Sequence, residues 1–330
     1  MSEAVLERLV GGFLELDFPV HALAWQGGEP TLMGLDFFQK AVDLQKKYGR
    51  QGRVVSNSLQ TNAILLDEAW CRFLHEYKFL VGISLDGPRE LHNTYRKDRA
   101  GRGTYDRVMA SIERCQQNQV EFNILVLLNA VNVKYPDEVF DFFADLGIHY
   151  LQFITCVERH PETHEIMDFS ITAQEYGDFL CRLFDRWLAY GPRKLSIRLF
   201  DSVMSYYLQG RHTDCTFGER CSDYIVVEHS GDVFCCDFYV EESWKLGNLM
   251  ETPLDELFNS PVKQRFARRK RTVANTCYVC RYFPICRGGC PKDRVVVGGH
   301  DTDLNYFCVS YKQFFDHALN QLRNVSAGLH

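Results

Sequence analysis

A chain of 330 residues that is 46% hydrophobic and 24% charged has the length and composition to bury its own core without disulfide staples. Its formal charge of -6 offers no basic field to a polyanion, which argues against a nucleic-acid partner. No window approaches a membrane-spanning apolar run and the N-terminus lacks the zones of a signal peptide. The sequence therefore predicts a cytoplasmic protein with no membrane partner, in which cysteines stay reduced and clusters of them signify metal or redox chemistry.

The chain opens in a helical pattern over Ala4–Val10, with no strand before it. Short apolar segments follow at Leu23–Trp25, Arg53–Ser56, Leu80–Ser84, Phe122–Leu128 and Tyr150–Ile154. Trp70, Phe73, Leu74 and Tyr77 fall at i, i+3, i+4 and i+7, as do Tyr105, Val108, Met109 and Ile112, and both sets predict amphipathic helices. Another helix starts near Pro136 and stops at Gly147. Strands alternating with helices imply a parallel sheet, whose functional groups sit where strands end and βα loops begin. Polar stretches fall at those points: Gln26-Gly27-Gly28-Glu29-Pro30, Ser56-Asn57 through Thr61-Asn62, Ser84-Leu85-Asp86-Gly87-Pro88 and Thr155-Cys156. Beyond about Asp168 the rhythm changes to a long helix carrying Tyr176, Leu180, Leu183, Phe184 and Trp187, then a strand-like Leu195–Leu199. A hairpin is predicted over Tyr224–Phe234 with a Ser-Gly-Asp turn, the basic run Ala267–Arg271 reads as a solvated helix end, and a last helix from Tyr311 to about Leu322 precedes a polar tail that frays.

The cysteines carry the strongest chemical signal. They run Cys215-x5-Cys221-x14-Cys236, then Cys277-x2-Cys280-x5-Cys286-x3-Cys290-x17-Cys308, which counts as two four-thiolate sites. Short spacings let one turn aim two sulfurs at one metal, and the set fits two [4Fe-4S] clusters; two structural zinc sites and a disulfide framework are the alternatives, the last the weakest. Spacing alone does not pair the ligands. Cys71, Cys115, Cys156, Cys181 and Cys235 are left over: Cys71 shares a helix with Trp70 and Phe73 as a small core residue, and Cys235 points away from its neighbour Cys236. His160 and His164 have metal-pair spacing, but Pro161 biases His160 out of the helix, so both read as surface-loop residues.

Gln26–Pro30, Leu59-Gln60-Thr61-Asn62, Gly82–Pro88, Leu91-His92-Asn93-Thr94-Tyr95-Arg96 and the two cysteine sets together resemble the anaerobic sulfatase-maturating enzymes, radical S-adenosylmethionine (SAM) enzymes with a C-terminal SPASM domain. The resemblance covers almost the whole chain. It implies an α/β fold: a partial (βα)6 TIM-type barrel of the radical SAM kind over 1–168, its first strand missing, a helical connection over 169–211, and a Cys-rich SPASM domain with two auxiliary clusters over 212–330. It implies oxidation of a Cys or Ser side chain in a sulfatase polypeptide to Cα-formylglycine, with an external electron donor such as flavodoxin or ferredoxin. Another SPASM peptide-modifying enzyme, for instance a thioether-forming one, and a non-catalytic iron-sulfur or zinc module are the alternatives.

Residue by residue, the resemblance assigns SAM contacts to Gly28, Ser84, Arg96 and Val157. It gives an inner cluster to Cys215, Cys221, Cys236 and Cys290, and an outer one to Cys277, Cys280, Cys286 and Cys308. It makes Asp237 the general base. Each has a plainer reading: a turn at Gly28, a strand-end cap at Ser84, a surface ion pair at Arg96, packing at Val157, and acceptance of backbone N–H bonds at Asp237. Gln26 and Glu29 are expected to face substrate or SAM. Two departures stand out. The family's Cys-x3-Cys-x2-Cys loop, which holds the SAM-cleaving cluster, has no counterpart, since no cysteine precedes Cys71; the chain thus reads as a fragment unable to cleave SAM, in preference to a natural chain that has lost the chemistry. Ala63 stands where the resemblance leads to Gly.

Overall fold

The computed structural model describes residues 1–221, 224–298, 300 and 302–328. Six strands, β1 (Val20–Trp25), β2 (Val54–Thr61), β3 (Leu80–Ser84), β4 (Phe122–Leu128), β5 (Tyr150–Thr155) and β6 (Ser196–Ile197), form one parallel sheet in unbroken chain order. Parallel neighbours need crossovers, and the chain supplies them as helices: α1 (Glu3–Glu15) precedes β1, and α2 (Leu35–Tyr48), α3 (Glu68–Glu76), α4 (Arg89–Tyr95), α5 (Tyr105–Gln117), α6 (Pro136–Asp145) and α7 (Ala173–Tyr190) follow the strands. One face of the sheet buries Leu59, Val81, Ile83, Ile124, Val126 and Leu151 against Phe38, Trp70, Val108, Phe143 and Phe179 of these helices. The pleat turns the alternate residues the other way, and in register these are Gln60 with Gly82 and Asn123, and Ser84 with Leu125 and Gln152. That second face is partly polar, and it opens toward the strand ends.

The apolar segments read from sequence are all strands, with β2 running on to Thr61. The predicted strand over Leu195–Leu199 is corrected. Only Ser196–Ile197 pair with β5, and α8 (Arg198–Gln209) begins immediately, burying Phe200, Val203 and Met204 at helical spacing. Leu195 is instead tied to α7, its carbonyl accepting the Trp187 indole N–H at 2.7 Å.

In the Cys-rich region, β7 (Val226–Val227), β8 (Asp232–Phe234) and β9 (Lys245–Asn248) form a small antiparallel sheet. The hairpin turns at Gly231, whose φ of +90° suits a residue without a Cβ. Short helices follow, α9 (Leu254–Phe258), α10 (Pro261–Arg268), α11 (Asn275–Tyr278), α12 (Phe283–Cys286) and α13 (Pro291–Gly298), before α14 (Cys308–Ala327). The last helix is longer at both ends than expected: Cys308 is its first residue, and Ser326 is buried with its hydroxyl donating to Leu322 O, so the tail does not fray at Leu322. The tail's end, Leu329 and His330, lies outside the described residues. The basic run is corrected too, because Lys270 within it is buried rather than solvated.

Contacts of three kinds join the two regions, the first being a cluster in which Leu9 of α1 packs on Val233, Leu249, Leu254 and Leu257. α14 lies along α7 and α8, where Phe200 stacks on Phe314 at 5.4 Å and meets Phe184 edge-on at 5.5 Å. Tyr306 O–H donates to Ile171 O, and Lys292 pairs with Glu158 at 2.5 Å. Since Trp187 is fully buried in this aromatic layer and supplies its hydrogen bond to Leu195, Trp187→Ala is expected to destabilise the fold by about 3–5 kcal/mol in anaerobic urea unfolding followed by circular dichroism. A loss below about 1 kcal/mol would show that this layer does not hold the fold.

Candidate active site and cluster sites

The loop after β1 is built around a carboxylate. Glu29 Oε1 accepts from Thr31 N, from the Thr31 hydroxyl at 2.6 Å and from the Thr61 hydroxyl at 2.7 Å, and Oε2 accepts from Asn62 N at 2.7 Å. This brace ties the loop to the end of β2. The half-buried Glu29 carboxylate thus spends most of its bonding capacity as a brace, a role its place in the sequence did not announce. Gly27 and Gly28 precede it with φ of +95° and +56°; a Cβ on Gly28 would touch nothing, so backbone conformation, not crowding, calls for glycine. Ala63 sits at φ +60° with its N–H bonded to Thr61 Oγ1, a left-handed conformation that explains why Gly is the natural residue there and that costs Ala about 1–2 kcal/mol.

After β3, Asp86 is buried and organises the turn. Its carboxylate accepts from Arg96 Nε at 2.7 Å, Arg96 Nη2 at 3.2 Å and Leu127 N at 2.9 Å. Arg96 is thus paired, as its plainer reading had it, but with a buried partner rather than a surface one, and the pair fixes the guanidinium at the strand ends. His92 backs the turn: it accepts from Asp86 N, while its other ring nitrogen donates to Thr104 Oγ1, which donates to Arg96 O. That chain requires a neutral imidazole, and burial pushes its pKa down to about 4, with Asp86 opposing. Ser84 is half-buried at the end of β3, and the Val157 side chain is wholly buried in the core, which leaves only its backbone for a ligand.

Asp237 stands where the two regions meet. Gln26 Nε2, from the loop after β1, donates to Asp237 Oδ2 at 3.1 Å. Tyr224 O–H donates to Oδ1 at 2.7 Å, and the Cys236 thiol donates to the same oxygen at 3.3 Å. Asp237 accepts from three side chains and from no backbone N–H among the described residues, unlike its plainer reading. Burial raises the Tyr224 phenol's pKa, and neighbouring Cys236 and Asp237 raise it further, which keeps it a donor. Sequence reasoning named Gln26 without its partner and missed Tyr224, which looked like a hairpin residue.

The cysteines separate into two groups. Cys277, Cys280, Cys286 and Cys308 line one cavity, and within it Cys286 feels Cys308 and Cys277, while Cys308 feels Cys277 and Cys280. Cys290 instead feels Cys215, Cys215 feels Cys221, and Cys221 and Cys236 flank the same core of Cys235, Tyr239 and Phe266. Burial pushes Cys215 up to about 11 and Cys236 and Cys286 up to about 12. Backbone N–H groups work against burial at several sulfurs: Phe238 at Cys236, Lys292 at Cys290, Gly288 and Gly289 at Cys286. Arg287, Gly288 and Gly289 make that last contact through three successive left-handed residues, φ +51°, +77° and +66°. Half-buried thiols served by N–H donors fit sulfurs that become thiolates when metal binds and releases their protons. Among the described residues no three metal-binding side chains already converge on one ion; the outer four spread around a cavity instead. Cys71 and Cys115 lie 4.0 Å apart in the core, and Cys235 is buried, all outside both groups. His160 accepts from Glu162 N and Thr163 N in an exposed loop and pairs with no metal ligand.

Comparison with known proteins identifies the class. Residues 1–143 match the model of the radical SAM superfamily, and residues 215–281 match that of an iron-sulfur cluster-binding domain, SPASM. The chain is 38% identical over 328 residues to a cysteine-type anaerobic sulfatase-maturating enzyme of Clostridium perfringens, covering 99% of this chain and 89% of that protein. It is 34% identical to a serine-type enzyme of Bacteroides thetaiotaomicron, covering 96% and 80%. A solved structure of native anSMEcpe with bound AdoMet and a Cp18Cys peptide superposes with a TM-score of 0.95 at 38% identity, covering 100% of this chain and 92% of that one. The fold and both domain matches define a radical SAM oxidoreductase with a cluster-binding C-terminal region. Within that class, this chain belongs to the anaerobic sulfatase-maturating enzymes. No helix among the described residues is long and apolar enough to cross a membrane.

Two outcomes follow. Anaerobic reconstitution of the 330-residue protein should load about eight iron and eight sulfide; about two zinc without labile sulfide would contradict the cluster sites. Because the pKa of His92 is lower in the folded state than in the unfolded one, its neutral form contributes stability above pH 6.5 that is lost as pH falls toward 4. The loss amounts to about 3 kcal/mol. Relative to His92→Gln, the parent should lose stability more steeply across that window in urea titrations. Parallel slopes would mean that His92 does not titrate there.

Proposed function

We propose that this chain supplies the SAM-binding, substrate-binding and auxiliary-cluster parts of an enzyme that oxidises the side chain of a Cys or Ser in a sulfatase polypeptide to Cα-formylglycine, in the cytoplasm, with SAM held at the strand ends by Gly28, Ser84, Arg96 and the Val157 backbone, the ligands of the SAM-cleaving cluster not being among its residues. The observation that carries this reading is Asp237, a carboxylate of the Cys-rich region fixed by Gln26 at the end of β1, so that one group of the second region faces the site of the first. Full-length similarity to both cysteine-type and serine-type enzymes supports the reaction class.

When bound, SAM supplies a hydrogen-abstracting radical and the clusters accept single electrons. This chain's own residues do the rest. The target Cβ loses one hydrogen atom, the target sulfur or oxygen loses one proton, and one electron leaves, which gives the aldehyde directly from Ser and a thioaldehyde from Cys; water then replaces the thioaldehyde sulfur, which leaves as hydrogen sulfide. Asp237 takes the proton, held with one oxygen on Gln26 and the other on Tyr224. Arg96, braced by Asp86, and the left-handed Gly28 backbone orient the SAM carboxylate and amino groups. Cys215, Cys221, Cys236 and Cys290 would hold the inner cluster, next in sequence to Asp237, and Cys277, Cys280, Cys286 and Cys308 the outer one. An external carrier of the flavodoxin or ferredoxin kind would exchange electrons with them. The residues present do not fit the SAM-cleaving cluster, since no cysteine precedes Cys71, and no step of this chain is derived through it.

The 330-residue polypeptide is therefore expected to form no 5'-deoxyadenosine above a no-protein control, even with strong reductant; product above that control would refute the absence of the SAM-cleaving site. With a Cys-x3-Cys-x2-Cys segment supplied at the N-terminus, Asp237→Asn should keep its iron and still yield 5'-deoxyadenosine with substrate peptide. Formylglycine should fall by about 100-fold or more, the usual worth of a positioned base. Peptide oxidation at the parent rate with iron intact would assign Asp237 a structural role.

A further inference from the structure

The basic run around Lys270 folds in a way its composition does not announce. Lys270 is 2% exposed and its ammonium donates to two carbonyls, Cys215 O at 2.9 Å and Thr216 O at 2.6 Å. It makes no ion pair among the described residues. A buried ammonium held only by carbonyl dipoles is costly, because the desolvation of a full charge exceeds what neutral acceptors return. Asp293, a buried carboxyl pushed up to about 6 by burial, senses the ammonium, which draws it back down, but the two make no ion pair.

The segment carrying Lys270 is locked in place. Arg294, 1% exposed, donates from Nε to Gly288 O at 2.9 Å, from Nη1 to Arg269 O and Thr272 O, and from Nη2 to the carbonyls of Lys270, Arg287 and Gly289. One guanidinium thereby clamps residues 269–272 to the left-handed turn that follows Cys286. Arg269 adds a lid of cation–π contacts over Tyr239 at 4.3 Å and Trp244 at 4.6 Å. The ammonium cannot swing to solvent. Besides Asp293, the groups that feel its charge are sulfurs, since Lys270 favours the thiolates of Cys215, Cys221 and Cys290 against burial.

We infer that Lys270 is a positioning residue for electron removal: its fixed, buried charge is the counter-charge of the inner cluster, held against the backbone of the ligand Cys215 so that the cluster accepts an electron more readily. A four-thiolate cluster gains one unit of negative charge for each electron taken from the peptide, and a fixed cation nearby stabilises that reduced form most. Arg294 acts one step removed, by fixing the segment that carries the ammonium. Neither residue touches substrate. The missing counter-ion is then no defect of the fold, because the thiolates supply it when iron binds. This inference rests on the cluster assignment proposed above, and the two fail differently.

The test uses the 330-residue protein reconstituted anaerobically, with iron and sulfide counted and cluster potentials measured by redox titration followed by electron paramagnetic resonance. Lys270→Met removes the charge and keeps the length; Lys270→Arg keeps the charge. In Lys270→Met one of the two clusters should titrate at a more negative potential while the other stays at the parent value, and Lys270→Arg should follow the parent. If Lys270→Met instead loses half its iron and Lys270→Arg keeps all of it, the charge holds the cluster in place, and the role in electron removal is overturned in favour of one in cluster retention. Equal shifts or equal iron losses in the two variants, or no shift in either, would overturn it in favour of packing. Zinc in place of iron in the parent would sink the cluster assignment itself, whatever the variants do.

Discussion

Aromatic packing of α14 on α7 and α8 is the contact on which the rest of the arrangement depends. The Cys-rich region has only a small antiparallel sheet and short helices of its own; its last helix returns to the barrel to be held by Phe184, Phe200 and Phe314, and its sheet is seated on Leu9 of α1. Close-packed interiors are stiff, so Cys308 at the start of α14 inherits the barrel's frame. The Gln26–Asp237 bond adds a polar tie between the two regions at the end of β1.

Polar economy governs what lies between. At the strand ends, charged side chains are spent on shaping the loops: Glu29 closes one loop and Asp86 orients Arg96 in the next, each with nearly all its acceptors filled. In the Cys-rich region the balance is reversed. Half-buried thiols, backbone donors and the ammonium of Lys270 are gathered there, with neutral carbonyls rather than a carboxylate on the ammonium.

Much of this was legible in the sequence, for physical reasons. Strands β3 and β4 were read to the residue because short apolar runs recurring between stretches of helical periodicity have the pattern of a parallel sheet buried among helices. Cys-x2-Cys and its companions were legible because metal chemistry restricts spacing. What escaped depended on tertiary context. Leu195–Leu199 has strand composition, yet Phe200, Val203 and Met204 drive a helix from Arg198. A basic run is normally solvated, and only the carbonyls of Cys215 and Thr216, fifty-odd residues away in sequence, reveal why Lys270 is buried. Tyr224 joined Asp237 through the same long-range folding. The brace made by Glu29 escaped because its four partners come from the two ends of a βα unit, which spacing does not bring together.

The central claim is that one site is shared between the barrel and the Cys-rich region, with Gln26 and Asp237 acting as a unit on the peptide. A double-mutant cycle of Gln26→Ala and Asp237→Asn, read as affinity of the iron-loaded protein for a sulfatase peptide in the presence of SAM, tests it most directly. A shared site predicts non-additive effects, with a coupling of about 0.5–3 kcal/mol. Strict additivity, with both single variants still holding iron, would mean that the two residues serve separate surfaces and would contradict the account.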